Sequence, residues 1–152
     1  MTEIFCAVRR CYVRATPEER VRQALLTKMI DELGYPAELI AVEKELKELP
    51  HLSFAQVPDR RIDILCYGAN IHPDYALYPL LLIECKEGKL GREATEQLVG
   101  YNRAVQASFL ALASPLEVKW GYFNHTQGRF EFFSGLPAFK ELMQWIKPSR
   151  TP

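Results

Sequence analysis

Apolar residues recur along this chain at two periods, and the switches between them lay out its elements. Residues 4–14 alternate loosely and predict a short strand or ribbon. Helical spacing then takes over through Val21, Ala24, Leu25, Met29 and Leu33. Thr16-Pro17-Glu18 opens that helix, with Thr as N-cap, Pro at the first helical position and acids in the first turn. The spacing of Thr16 and Glu19 predicts a capping box, and Gly34 followed by Pro36 ends the helix. Ile40–Glu43 reads as a strand, Pro50–Pro58 as a loop and Arg60–Cys66 as a second strand. A polar excursion from Gly68 to Tyr78, closed by Pro79, leads into a third strand, Leu80–Lys86. After a turn at Glu87–Gly91, Ala94, Leu98, Tyr101 and Val105 mark a helix over Arg92–Val105. Ser108–Ala113 is a buried strand. Val118–Phe123 and Arg129–Phe133 flank His125-Thr126-Gln127-Gly128 as a hairpin, and Pro137 opens a last amphipathic helix ending near Lys147.

This order predicts an α/β protein with one mixed sheet flanked by helices. The 152 residues suit a single domain over 1–152, with its core in 14–113 and a C-terminal hairpin and helix in 114–148. Nineteen basic and nineteen acidic residues cancel, which argues against a strongly basic, sequence-indifferent nucleic-acid binder. Local charge is another matter: Arg9, Arg10, Arg14, Arg20 and Arg22 crowd the N-terminal stretch, as a basic patch or as a solvated face shared with acids. Cys6, Cys11, Cys66 and Cys85 show no metal-binding spacing, and two of them lie in apolar strand patterns. A reducing, cytoplasmic setting without structural zinc is expected. No signal peptide is apparent, and no stretch suggests a membrane partner.

Candidate chemistry centres on Asp63 and on Glu84-Cys85-Lys86. Alternation along a strand puts Glu84 and Lys86 on one face and Ile83 and Cys85 on the other. Ile62 and Ile64 are expected to turn away from Asp63 into an apolar layer. If the two strands pair, two carboxylates and an ammonium meet at the end of a greasy sheet, which is costly unless they bind something. Mg²⁺ or Mn²⁺ fits that set, with Asp63, Glu84 and the backbone carbonyl of Cys85 as oxygen ligands. Lys86 would position or help deprotonate the attacking water. A third acid would come from the first helix: Glu18, on the face of Val21 and Leu25, is favoured over Glu19. Two carboxylates in so small a space predict a raised pKa without metal.

The plainer reading is a structural ion pair in which Lys86 neutralises an acid. Glu43 is expected to pair with an arginine. Arg22, Arg61, Lys89 and Arg92 are candidate phosphate contacts, and Arg61 fits an ion pair equally well. His51, His72 and His125 read as surface residues and Cys85 as a packing residue. The aromatic hairpin around Trp120, Tyr122, Phe123, Phe130, Phe132 and Phe133 reads as core or a dimer surface rather than a base-stacking platform.

A helix acid, then Asp63, then Glu84-x-Lys86 resembles the PD-(D/E)xK nuclease superfamily, with its helix–strand–strand–strand–helix–strand core. Ile62 stands where that motif names Pro. Gln97-Leu-Val-Gly-Tyr101 resembles the Gln-x-x-x-Tyr element of RecB-type exonucleases and type I restriction subunits. A narrower resemblance is to the N-terminal nuclease domain of the type I restriction subunit. It is carried by Thr16–Gln23, Gly34–Pro36, Ile40–Glu43, Arg60–Asp63, Pro79–Lys86 and Gln97–Asn102, and spans about residues 8–113.

The resemblance implies a restriction-endonuclease-like fold and a Mg²⁺-dependent DNA nuclease. In it Asp63 and Glu84 bind metal, Lys86 acts on water, Glu18 or Glu19 assists, and Gln97 with Tyr101 places the DNA backbone. No Gly-x-x-x-x-Gly-Lys-Ser/Thr loop occurs, so the helicase motor of a complete restriction subunit is not implied. Alternatives are a module that grips nucleic acid without cutting, or a nuclease subunit that serves a separate helicase. Cutting both strands with one site per chain would call for a homodimer or two successive nicks.

Overall fold

The structure, a computed structural model, describes residues 2–53 and 55–146. A ribbon of β1 (Glu3–Cys6) and β2 (Cys11–Arg14) precedes α1 (Pro17–Asp31). The main sheet follows as β3 (Ile40–Val42), β4 (Ile64–His72) and β5 (Tyr75–Cys85), then α2 (Arg92–Val105) and β6 (Phe109–Ala113). It is completed by β7 (Val118–Asn124) and β8 (Arg129–Ser134), before α3 (Phe139–Ile146). Spatial order equals chain order, β3-β4-β5-β6-β7-β8. Every neighbouring pair is antiparallel except β5 and β6, which run parallel because α2 carries the chain back between them. This is a mixed α/β architecture of the restriction-endonuclease-like kind. The expected end of the last helix at Lys147 lies outside the described residues, and no described helix is long and apolar enough to cross a membrane.

Helix α1 starts where the capping signal puts it. The Thr16 hydroxyl accepts the Glu19 N–H at 3.1 Å. The reciprocal half of the capping box is not made: Thr16 N–H donates to Arg14 O at 2.9 Å instead. Glu19 has stronger partners, because cationic and amide donors crowd its carboxylate.

The stretch expected as a polar excursion is a long hairpin. β4 runs on to His72, which pairs with Tyr75 across Pro73-Asp74. Pro79 lies inside β5, where the register jumps from Cys66↔Leu81 to Tyr67↔Pro79 and leaves Leu80 as the extra residue. A bulge is one of the few places where a strand tolerates a residue without an N–H. The expected Pro50–Pro58 loop holds a 3-10 turn at Pro50–Leu52, just after another at Leu46–Glu48.

The sheet is buried on both faces. One face packs Ile64, Cys66, Leu81, Ile83, Cys85 and Ala111 against Val21, Leu25, Leu26 and Met29 of α1. The other packs Leu65, Leu82, Leu110 and Leu112 against Leu98, Tyr101 and Val105 of α2. Each such aliphatic side chain contributes roughly 1.5–3 kcal/mol when fully buried. Ile62 and Ile64 do not share a layer as expected: Ile62 joins the α2 side and Ile64 the α1 side. The chain bends at Asp63 before β4 begins, which breaks the alternation there. Glu84 follows Leu82 by two and so falls on the α2 face, at the mouth of that layer.

Candidate active site

Ile64 pairs with Ile83, which brings the residues at the strand end, Asp63 and Glu84, together. Asp63 Oδ2 accepts the backbone N–H of Cys85 at 2.8 Å. The Asp63 side chain therefore continues the ladder one step past the last backbone pair. Glu84 lies close enough to Asp63 for the two to act on each other electrostatically. Burial first, and the Asp63 charge second, push the Glu84 carboxyl up to about 7, against the opposing pull of Arg60 and Lys86. Such a carboxyl is about half protonated near neutrality.

Two arginines frame the pair. Arg60 Nη2 donates to Glu84 Oε1 at 3.5 Å while its guanidinium stacks over the Tyr101 ring, 3.9 Å from the centroid. Arg22 is buried and reaches three carboxylates: Glu19 at 2.8 Å, Glu43 at 2.9 Å and Asp63 at 3.5 Å. Its pKa is raised: burial opposes the charge, but Glu19 and Glu43 overcome it. Glu19 also accepts from Arg9 Nη2 and Gln23 Nε2, each at 2.8 Å. Burial pushes the Glu19 carboxyl up, and the bonds from Gln23, Arg22 and Arg9 bring it below its ordinary value.

Several sequence expectations meet this geometry differently. Glu18, favoured as the helix acid, is exposed, and Glu19 is the acid that turns inward. Val21 and Leu25 are buried as that choice assumed, yet Glu18 stays exposed while Arg9, Arg22 and Gln23 hold the Glu19 carboxylate inside. Arg22, read as a phosphate contact, is enclosed by acids and positions Asp63 instead. Arg61 is exposed and faces Glu45 at 3.9 Å, the ion-pair alternative. Glu43 pairs with an arginine as expected. Lys86 is partly buried and acts on Glu84 through its charge.

Lys89 and Arg92 are exposed beyond β5, with Arg92 also bonded to Glu96 at 3.0 Å. Tyr101 is buried with its hydroxyl unpartnered, whereas Gln97 is exposed and, among the described residues, makes no hydrogen bond to the carboxylates. The next residue, Asn102, clamps the end of α2 through Ala107 N at 2.8 Å and Ala107 O at 3.0 Å. Of the histidines expected at the surface, His51 is half-buried and bonds Val105 O at 2.8 Å. Trp120, Tyr122, Phe133 and Trp145 stack on one another and line a separate cavity of ≈ 820 Å³ that contains none of the carboxylates.

Two arginines carry more of the site than the sequence reading gave them. In the sequence Arg60 stands out only as the start of the Arg60–Asp63 stretch, and Arg9 only as one of five N-terminal arginines. The spacing of Glu19, Arg22 and Gln23, three and four apart, was the available signal for the buried network.

Residues 17–137 match the type I restriction enzyme R protein N terminus (HSDR_N). The chain belongs to that family. The match begins at the first residue of α1 and ends just before α3, so it contains Glu19, Asp63, Glu84, Lys86 and Tyr101 together. No curated protein matches the chain. Membership in the R protein N-terminus family gives the chain a nuclease-related role, with DNA as the substrate the family suggests.

Proposed function

We propose that this chain is a metal-dependent deoxyribonuclease of the PD-(D/E)xK type that hydrolyses phosphodiester bonds with Mg²⁺ or Mn²⁺. The observation that carries the reading is the Asp63–Glu84 pair, two carboxylates at a strand end whose mutual charge helps raise Glu84 to about 7. Two carboxylates and the carbonyl of Cys85 make a hard oxygen set. It suits an ion that keeps several waters and is held by one or two carboxylates plus substrate phosphate. Among the described residues no third acidic, histidine or cysteine side chain completes a metal-binding group. Glu19, the acid nearest to that role, has its carboxylate filled by Arg9, Arg22 and Gln23. Its part is to hold Arg22, which in turn holds Asp63.

A bound Mg²⁺ would supply an acidified water and offset charge on the phosphate oxygens. The chain's own groups do the rest. Lys86, on the Glu84 side of β5, orients the attacking water and offsets charge developing on the phosphate. Arg60 keeps Glu84 company in the free protein and turns to the phosphate when DNA arrives, guided by the Tyr101 ring. Gln97, Lys89 and Arg92 are exposed at the α2 end and take the flanking backbone.

The test is incubation of supercoiled plasmid and of linear single- and double-stranded DNA with Mg²⁺ or Mn²⁺, beside Asp63→Ala and Lys86→Ala. Metal-dependent cutting that both substitutions abolish supports the reading. Equal behaviour of all three proteins removes catalysis from the isolated chain. Retained DNA binding would then make it a module that holds DNA for a separate helicase subunit.

A further inference from the structure

The ribbon ahead of α1 sets two cysteines against one arginine. Cys6 and Cys11 are the last pair of the β1–β2 ladder, directly opposite each other across the turn at residues 7–10. Opposed residues of an antiparallel pair share a face, with Cα atoms about 4.5–5.5 Å apart. That falls in the roughly 4.4–6.8 Å span that a disulfide bridges. Both are free thiols; Cys6 is buried and Cys11 exposed. Cys6 Sγ accepts from the Arg9 backbone N–H at 3.4 Å and from Arg9 Nε at 3.3 Å.

Burial pushes the Cys6 thiol up, but bonds from Arg9 and Gln23, with the Arg9 charge, bring it below its ordinary value. The two sheet cysteines go the other way: burial raises Cys66 to about 12 and lifts Cys85 as well. A thiol becomes a nucleophile through its thiolate, which a neighbouring arginine favours and apolar burial suppresses. Cys6 is therefore set apart from Cys66 and Cys85 by its surroundings, and it has an accessible partner thiol across the ribbon.

We propose that Cys6 and Cys11 are a thiol–disulfide pair, with Cys11 reacting first with a low-molecular-weight disulfide and Cys6 closing the intramolecular bond. The Cys11 thiolate attacks one sulfur of glutathione disulfide, whose S–S bond breaks, and one glutathione thiolate leaves. The Cys6 thiolate then attacks the Cys11 sulfur, forming the Cys6–Cys11 bond and expelling the second glutathione thiolate. The protein gives up two electrons and two thiol protons, and glutathione disulfide becomes two glutathiones. Closure removes Cys6 Sγ as an acceptor for Arg9, whose other partner is Glu19 at 2.8 Å. The ribbon's redox state thus bears on the network that positions Asp63.

The experiment exposes the intact protein to glutathione disulfide, traps remaining thiols by alkylation and maps the products by mass spectrometry after trypsin. Cleavage at Arg9 and Arg10 separates the two cysteines, so closure appears as two peptides joined by one bond. Wild type is expected to give that joined product with little glutathione adduct. Cys6→Ser should stop at the Cys11–glutathione adduct, and Arg9→Gln should shift wild type toward the same adduct by slowing closure. A wild-type protein that accumulates the Cys11 adduct as fully as Cys6→Ser does, or that links Cys66 or Cys85 instead, overturns the proposal.

Discussion

Glu84 is the residue on which site and stability meet. Its carboxyl is raised from 4.5 to about 7, by burial before anything else. A carboxyl with a folded pKa above its unfolded one contributes stability below the unfolded value, and that contribution is lost as pH rises through the folded one. Metal-free protein should therefore lose roughly 2–3 kcal/mol at most between pH 4.5 and about 7, read by denaturant unfolding at several pH values. Glu84→Gln should flatten that profile and leave the metal-free protein more stable at pH 8. A profile unchanged by the substitution would remove Glu84 as its source.

Arg22 carries the opposite risk, since it is surrounded by Glu19, Glu43 and Asp63. Arg22→Met leaves Glu19 buried among fewer donors and should cost about 3–5 kcal/mol of unfolding free energy. The acids on the strands were legible in the sequence because each interrupts an apolar run. The choice between Glu18 and Glu19 was not. The apolar stripe of Val21 and Leu25 is buried as expected, but in the first turn the donors Arg9, Arg22 and Gln23 decide which acid is held inside.

At the scale of elements, the hairpin and the helix ends are where local chemistry can be separated from the site. Thr16→Ala removes the oxygen that accepts the Glu19 N–H and should destabilise α1 by about 1 kcal/mol, measurable as a lower unfolding midpoint. Gly121, on β7, faces the β8 backbone so closely that an added Cβ would stand 2.9 Å from Glu131 O and 2.8 Å from the Phe132 ring. Backbone cannot retreat as a flexible side chain can, so Gly121→Ala should cost about 1–3 kcal/mol. A neutral Gly121→Ala would mean that β8 can shift away from β7.

Helix α2 was readable to its ends because its apolar positions recur strictly, and β6 because it is short and wholly buried. The β4–β5 hairpin was not, for two reasons. Its far end carries Asn70, His72, Asp74 and exposed tyrosine, which read as loop, and Pro79 reads as a strand breaker until the bulge at Leu80 is known. A bulge leaves no mark on a periodicity that counts residues singly.

For the whole molecule, the sheet order and the single parallel pair matter more than any one strand length. Six strands in chain order place α1 and α2 on opposite faces, and the carboxylates collect where both helices and the β4–β5 pair converge. The motif spacing in the sequence specified the members of that gathering. It could not specify which partners Arg9, Arg22, Gln23 and Glu43 take around them, since those are fixed by the packing of α1 and the ribbon against the sheet end. In the proposed function Asp63 and Glu84 act as one seat for a divalent cation.

The most direct measurement is calorimetric titration of the protein with Mg²⁺ near pH 7, in buffers of different ionisation enthalpy, beside Asp63→Ala and Glu84→Gln. Binding that releases a fraction of a proton near pH 7, releases less at higher pH and vanishes in both variants is the predicted result. Absence of binding, or binding that neither substitution changes, would contradict it.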